Sequence, residues 1–220
     1  MLKDIKLGFK LLKYGYKLKL NVIMLVFFAI FGIASEIFSK GTSIIGGVYF
    51  MMSGMFTFQL IMSMDVSELI QSTSLKKKLQ IYIPVLASTV INLILFTIFV
   101  VERVVLIQMG VADKTQIIYT LFMLDVILLI TYLYTSIFYK YFVLGFILFM
   151  VMFMAAFMAL DNSAFMGFAD TIAALGLPVI ALFGYIAIFA GGALEILIGE
   201  LLYKKPLSEF AFMGFFRDAK

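Results

Sequence analysis

Six long apolar runs separated by short polar segments set the pattern of this chain. They fall at about Leu20–Phe38, Ile44–Met64, Ile81–Val101, Ile117–Ile137, Phe142–Leu160 and Leu177–Leu201. A helix needs about 20 apolar residues to cross a bilayer. These runs are too long for strands and lack strand alternation, so each predicts a membrane-spanning helix. The expected architecture is an all-α polytopic membrane protein with six transmembrane helices over 20–202 and a tail over 203–220. The first run follows a lysine-rich segment, but no small-residue cleavage pattern comes after it, so it reads as a retained helix.

Residues 1–19 carry a second periodicity. Lys3, Lys6, Lys10, Lys13 and Lys17 step by 3, 4, 3 and 4, which confines them to an arc of about 80° on a helix. Leu2, Ile5, Phe9, Leu12 and Tyr16 keep the same rhythm one step away. This is the pattern of an amphipathic helix lying in the membrane surface, with its lysines toward water and anionic headgroups. It serves as a positive anchor and is expected to brace the first span as an elbow.

The basic residues orient the spans. With the N-terminus inside, 14 of the 17 Lys and Arg lie in inner segments, and the outer loops hold Lys40, Arg103 and Lys114. That bias places both termini and the loop after the second span in the cytoplasm. It also accounts for the net charge of +4 without a nucleic-acid partner.

Composition narrows the chemistry. The chain is 64% hydrophobic with 25 Phe and 15 Met, more than a soluble core of this size buries, so lipid is the expected solvent. Cysteine and histidine are absent. Their absence excludes disulfides, thiolate and imidazole metal sites, and Cys or Ser/His nucleophilic machinery. No GxxxxGK phosphate loop occurs, so any nucleotide chemistry belongs to another polypeptide.

Ionisable groups inside spans are costly and mark candidate sites. Asp125 lies near the middle of the fourth run. It is read either as a neutral acid or as an acceptor for hydroxyls such as Thr57 or Ser53, and either as a packing residue or as a proton or substrate site. Glu195 and Glu200 fall about 140° apart on their helix, so they form no acidic pair. Glu195 continues the line Gly184, Ala187 and Gly191, a face of small residues suited to close helix packing, and is expected to snorkel to the cytoplasmic surface. Gly46, Gly47, Ser53, Gly54 and Thr57 give the second run a similar face.

One polar island stands apart: "SELIQSTSLKKKLQIYIP", residues 67–84. It is either a solvated loop or a docking element, with Ser72, Thr73 and Ser74 able to cap a short helix that carries the lysines. Together with the basic amphipathic segment "MLKDIKLGFKLLKYGYKLKL" and six spans with both ends inside, it resembles the ABC-2-type permease subunits of bacterial ABC transporters. "ELIQSTSLKKKLQ" looks like the stretch in which such permeases press a short coupling helix into a cleft of the ATPase.

The resemblance implies a bacterial plasma-membrane permease subunit. It would pair with a second permease subunit and export a hydrophobic or amphipathic cargo. A separate cytosolic ABC ATPase would bind the ATP and magnesium, so no cofactor and no catalysis are expected on this chain. The coupling residues it implies are Leu69, Ile70, Gln71, Ser72, Leu75, Lys76, Lys77 and Lys78, within a loop over about 65–80. Residues 161–176 could dip back as short helices, as re-entrant segments do in that family. Two other classes stay open: a self-contained secondary transporter or channel using Asp125, and a non-transporting membrane immunity protein.

Overall fold

The structure, a computed structural model, describes residues 6–7, 10, 18–52, 74, 77–138, 140–161 and 166–205. Every regular element among them is helical. In chain order they are α1 (Leu18–Ser39), α2 (residues 44–52) and α3 (Ile83–Met109), which continues a π-helical turn at Lys78–Tyr82. Then come α4 (Lys114–Phe138), α5 (Phe142–Asp161), α6 (Met166–Ala174) and α7 (Leu177–Leu202). Four helices among the described residues are long and apolar enough to cross a membrane: Val22–Ser39, Lys78–Met109, Lys114–Ile137 and Leu177–Leu202. The expected second span continues past Met52 into residues outside the described set, where most of the expected interfacial helix and tail also lie.

α1 and α2 form a hairpin. Lys40 and Gly41 both adopt positive φ, and the Gly41 N–H donates back to the Glu36 carbonyl at 3.2 Å, closing the end of α1. The Ser43 hydroxyl then accepts from the Ile45 N–H at 3.2 Å and starts α2. Tyr49 stacks on Phe28 and meets Phe31 edge-on, with ring centroids 5.5 and 4.9 Å apart.

α3 begins with the π-turn for a reason visible in the sequence. Pro84 has no N–H, and its ring crowds the carbonyl four residues back, so a wider turn before it relieves the clash. The helix then runs eight residues beyond its expected end at Val101, stopping at Gly110 in the left-handed conformation with φ 63°. The expected outer loop over 102–116 is therefore corrected to a short connection at 110–113. Glu102 and Arg103 are helical, and Arg103 is fully buried rather than loop-exposed.

α4 is the centre of the molecule. Of its span 67% is buried, against 11% for α1. It packs along α7 most extensively and also meets α5 and α6, while α7 in turn lies against α3. Phe96, Leu121, Leu124, Leu128, Ile180 and Ile188 fill the core between α3, α4 and α7. α1 and α5 face outward, with many large apolar side chains exposed. α6, in the segment expected to carry short helices, rests on α4 through Phe168 and Phe122.

Candidate functional site: buried charges in the helical core

Three polar clusters are spread along the bundle. At the end that holds the α1–α2 turn, Arg103 is wholly buried. Its Nη2 lies 2.7 Å from Glu36 Oε2, its Nη1 donates to the Gly41 carbonyl, and its guanidinium sits 4.4 Å over the Phe99 ring. The Thr120 hydroxyl donates to the same Gly41 carbonyl at 3.2 Å. One guanidinium thus ties α1, the α1–α2 turn and α3 together, and α4 joins through Thr120. Gly41 is required twice over, by its φ of 74° and because a Cβ there would strike the Arg103 side chain. At Gly46, likewise, a Cβ would sit 2.5 Å from the Glu36 carboxyl.

The opposite end gathers lysines. Lys77 Nζ lies 2.8 Å from Glu200 Oε1, and the Tyr82 hydroxyl donates to the same carboxylate. This link holds the start of α3 to the end of α7, and the Glu200 partner raises Lys77 above the ordinary lysine pKa range. Lys140, buried between α4 and α5, donates to the Lys205 carbonyl at 2.6 Å just past α7, where a cation complements the helix C-terminus.

Between the two ends lies the α4–α7 seam. Asp125 is 4% exposed and Glu195 3% exposed; neither Asp125 oxygen meets a hydrogen-bond donor among the described residues, and only the Thr135 hydroxyl stands beside the Glu195 carboxyl there. Asp125 lies against Gly184: a Cβ there would sit 2.5 Å from its Oδ1 and would also strike the Phe96 ring. Farther along, Gly191 admits the Tyr132 ring, and the Asn92 Nδ2 donates to the Tyr132 hydroxyl at 2.9 Å. Thr135 faces Glu195 and Thr89 faces Tyr132. Asn92 Oδ1 is a further buried acceptor without a donor. The Ser136 and Thr135 hydroxyls donate to helix carbonyls, Ser136 to Tyr132 at 2.6 Å and Thr135 to Thr131 at 3.0 Å.

The small-residue face Gly184, Ala187, Gly191 and Glu195 is buried and packs against neighbouring helices. The expected snorkelling of Glu195 is corrected: the approach that glycine permits encloses the carboxyl in the seam. Glu200 lies apart from it, exposed and paired with Lys77. Lys77 and Lys78 stand at the start of the π-turn. Leu69, Ile70, Gln71, Ser72, Leu75 and Lys76 lie outside the described residues, as do Ser53 and Thr57, the hydroxyls considered for Asp125.

Sequence reasoning missed Glu36, Asn92 and Tyr132, and it misplaced Arg103. Glu36 is the one charged residue of the first run, and that signal pointed to a partner within the membrane. The chain matches no family model, no curated protein and no solved structure.

Proposed function

We propose that this chain is the membrane-spanning permease subunit of an ATP-driven transporter. In this reading it has six spans, both termini in the cytoplasm and a home in the bacterial plasma membrane. A second permease subunit completes the pathway, and a cytosolic ABC ATPase docks at residues 65–80. The observation that supports the reading is the lysine-rich end. Lys77 and Tyr82 fasten the start of α3 to Glu200 on α7, so a push on the preceding loop is delivered directly to the two helices that flank the core. ATP binding would close the ATPases and move that loop. The chain needs no phosphate-binding motif of its own for this.

The test is Ile70→Ala with Leu75→Ala. Apolar anchors at a protein interface typically cost about 2 kcal/mol or more when truncated. The double variant should insert normally yet fail to co-purify with the ATPase or stimulate its hydrolysis. Full binding and stimulation would leave residues 65–80 a positive anchor only. Reporter fusions at residue 75 and at the C-terminus should read cytoplasmic, and one at residue 166 external. An external signal at residue 75 would defeat the scheme.

A second reading, a self-contained secondary transporter, is favoured by Asp125, which is buried without a hydrogen-bond partner among the described residues. The two readings part under energy depletion. An ATP-driven permease stops when ATP is exhausted and tolerates Asp125→Asn, whereas a proton-driven carrier stops with uncouplers and loses transport in Asp125→Asn.

A further inference from the structure

The atoms left without partners in the α4–α7 seam are of one kind. Both oxygens of Asp125, both oxygens of Glu195 and Oδ1 of Asn92 are acceptors, and all three residues are at least nine-tenths buried. Among the described residues the seam therefore has more acceptors than donors, and the Thr135 hydroxyl beside Glu195 also donates to helix carbonyls. Two ionised carboxylates could not stay in a dry helix interface without a cation. None of the ion pairs among the described residues involves either acid. Lys77 is engaged by Glu200, Arg103 by Glu36, and Lys140 by the Lys205 carbonyl.

The missing donor is also small. Asp125 Oδ1 is packed against Gly184 so closely that even a methyl group would strike the carboxyl and the Phe96 ring. A coordinated metal ion needs several oxygens around it, and no group of three acidic or other metal-binding side chains occurs among the described residues. A proton fits where an ion does not.

We propose that the α4–α7 seam is a proton-binding site, in which Asp125 and Glu195 stand as neutral acids while the helices are closed and part the seam to water when they ionise. The step is simple acid dissociation, with each carboxyl releasing one proton to water. Gly184 and Glu195 are 11 residues apart, about 16 Å along the helix axis, so the acids bind their protons separately. The Tyr132–Asn92 pair lies between them. The Tyr132 oxygen accepts from Asn92, and Thr89 also faces it. Asp125 faces Phe96 of α3 and Gly184 of α7, and Glu195 faces Thr135 and Tyr132 of α4. Once either carboxyl is charged it needs water, and water enters only if the glycine-mediated contact separates. Protonation and closure are thus one equilibrium. The inference requires that the chain spans a membrane and holds for either energy source.

Infrared spectroscopy of the parent protein in lipid at neutral pH tests the first half. A carboxylic-acid C=O band that shifts in heavy water should be present, losing one component in Asp125→Asn and another in Glu195→Gln. A parent spectrum without such a band overturns the proposal, and so does a band that both variants leave intact. The chain has no cysteine, so Ile188→Cys places a single thiol in the seam. Its reaction with a water-soluble thiol reagent should be blocked at neutral pH. At alkaline pH it should rise several-fold more in the parent background than in the combined Asp125→Asn/Glu195→Gln background. That second background cancels the thiol's own pH dependence. Equal profiles in the two would mean that the seam does not open on ionisation.

Discussion

Arg103–Glu36 and the α4–α7 seam hold charge-bearing groups at equal depth, and the two regions are built in opposite ways. Arg103 has an ion-pair partner at 2.7 Å, a backbone carbonyl and an aromatic face. Asp125 and Glu195 have glycines, rings and a few hydroxyls already committed to helix carbonyls, and none of these neutralises an acid. A buried pair in which both members are charged is a tie, because losing either one strands the other. A buried acid without a partner is a group that must change its own state to be tolerated. The tie sits where the turn between α1 and α2 meets α3 and α4. The unpartnered acids sit where two core helices approach most closely. Depth is shared, so it is the company of each charge that separates a structural role from a chemical one.

Removing one member of the tie should have the largest effect. Arg103→Met leaves the Glu36 carboxylate uncompensated, and breaking a buried pair this way costs about 3–5 kcal/mol. Glu36→Gln should cost less, because Glu102 Oε2 still lies 3.5 Å from Arg103 Nε and the Gly41 carbonyl still accepts from the guanidinium. The combined Glu36→Leu/Arg103→Met replaces charge by packing and should regain most of the loss. Reversible unfolding in mixed micelles measures all three. If the single variants were as stable as the parent, the α1–α2 hairpin would be held by something other than this contact.

Next in size is the packing of the seam. Gly191→Ala would place a Cβ 2.5 Å from the Tyr132 ring, and overpacking of this kind costs about 1–3 kcal/mol. The ring belongs to the Asn92–Tyr132 pair, so the same variant should also disturb that hydrogen bond. Thermal unfolding reads the first effect, and the tyrosine infrared band reads the second.

Asp125→Asn comes third and sharpens the contrast most directly. If the tie needs its charge and the seam does not, an amide at position 125 should cost about 1 kcal/mol or less, well below Glu36→Gln. Equal losses at the two sites, in the same micelle assay, would mean that Asp125 is ionised and held by a cation.

The order in which these sites became visible follows the same physics. Apolar runs report their solvent directly, so the helices were legible from length and composition alone. The close-packing face of α7 was also legible, because Gly184, Ala187, Gly191 and Glu195 repeat at helical spacing. The end of α3 was not. Glu102 and Arg103 looked like the start of a loop because charge usually marks water, and only Glu36, 67 positions earlier, cancels that inference. Nor was the depth of Glu195 legible, since a glutamate near a helix end reaches the surface unless its neighbours enclose it, and here glycines bring those neighbours in. Of the residues expected to couple to an ATPase, Leu69, Ile70, Gln71, Ser72, Leu75 and Lys76 lie outside the described set, and Lys77 and Lys78 lie within it.

The smallest effect is expected at that end. Lys77 and Glu200 make a short contact of 2.8 Å, nearly as close as Arg103 to Glu36. Their side chains, however, are 48% and 36% exposed, against 0% and 5% for the buried pair. Water and salt screen an exposed pair, and its members lose little when separated because each is rehydrated. Lys77→Ala should therefore leave the unfolding midpoint where it is, and so should added salt. The pH dependence has a definite sign. Glu200 raises Lys77 above the ordinary lysine range, so the lysine's contribution is complete below that range and fades only as pH climbs past the raised value. Between mildly acidic and mildly alkaline pH, Lys77→Ala and the parent should unfold in parallel. A gap between them that opens across that interval, or a loss as large as that of Arg103→Met, would show that contact distance and not exposure sets the worth of a pair in this molecule.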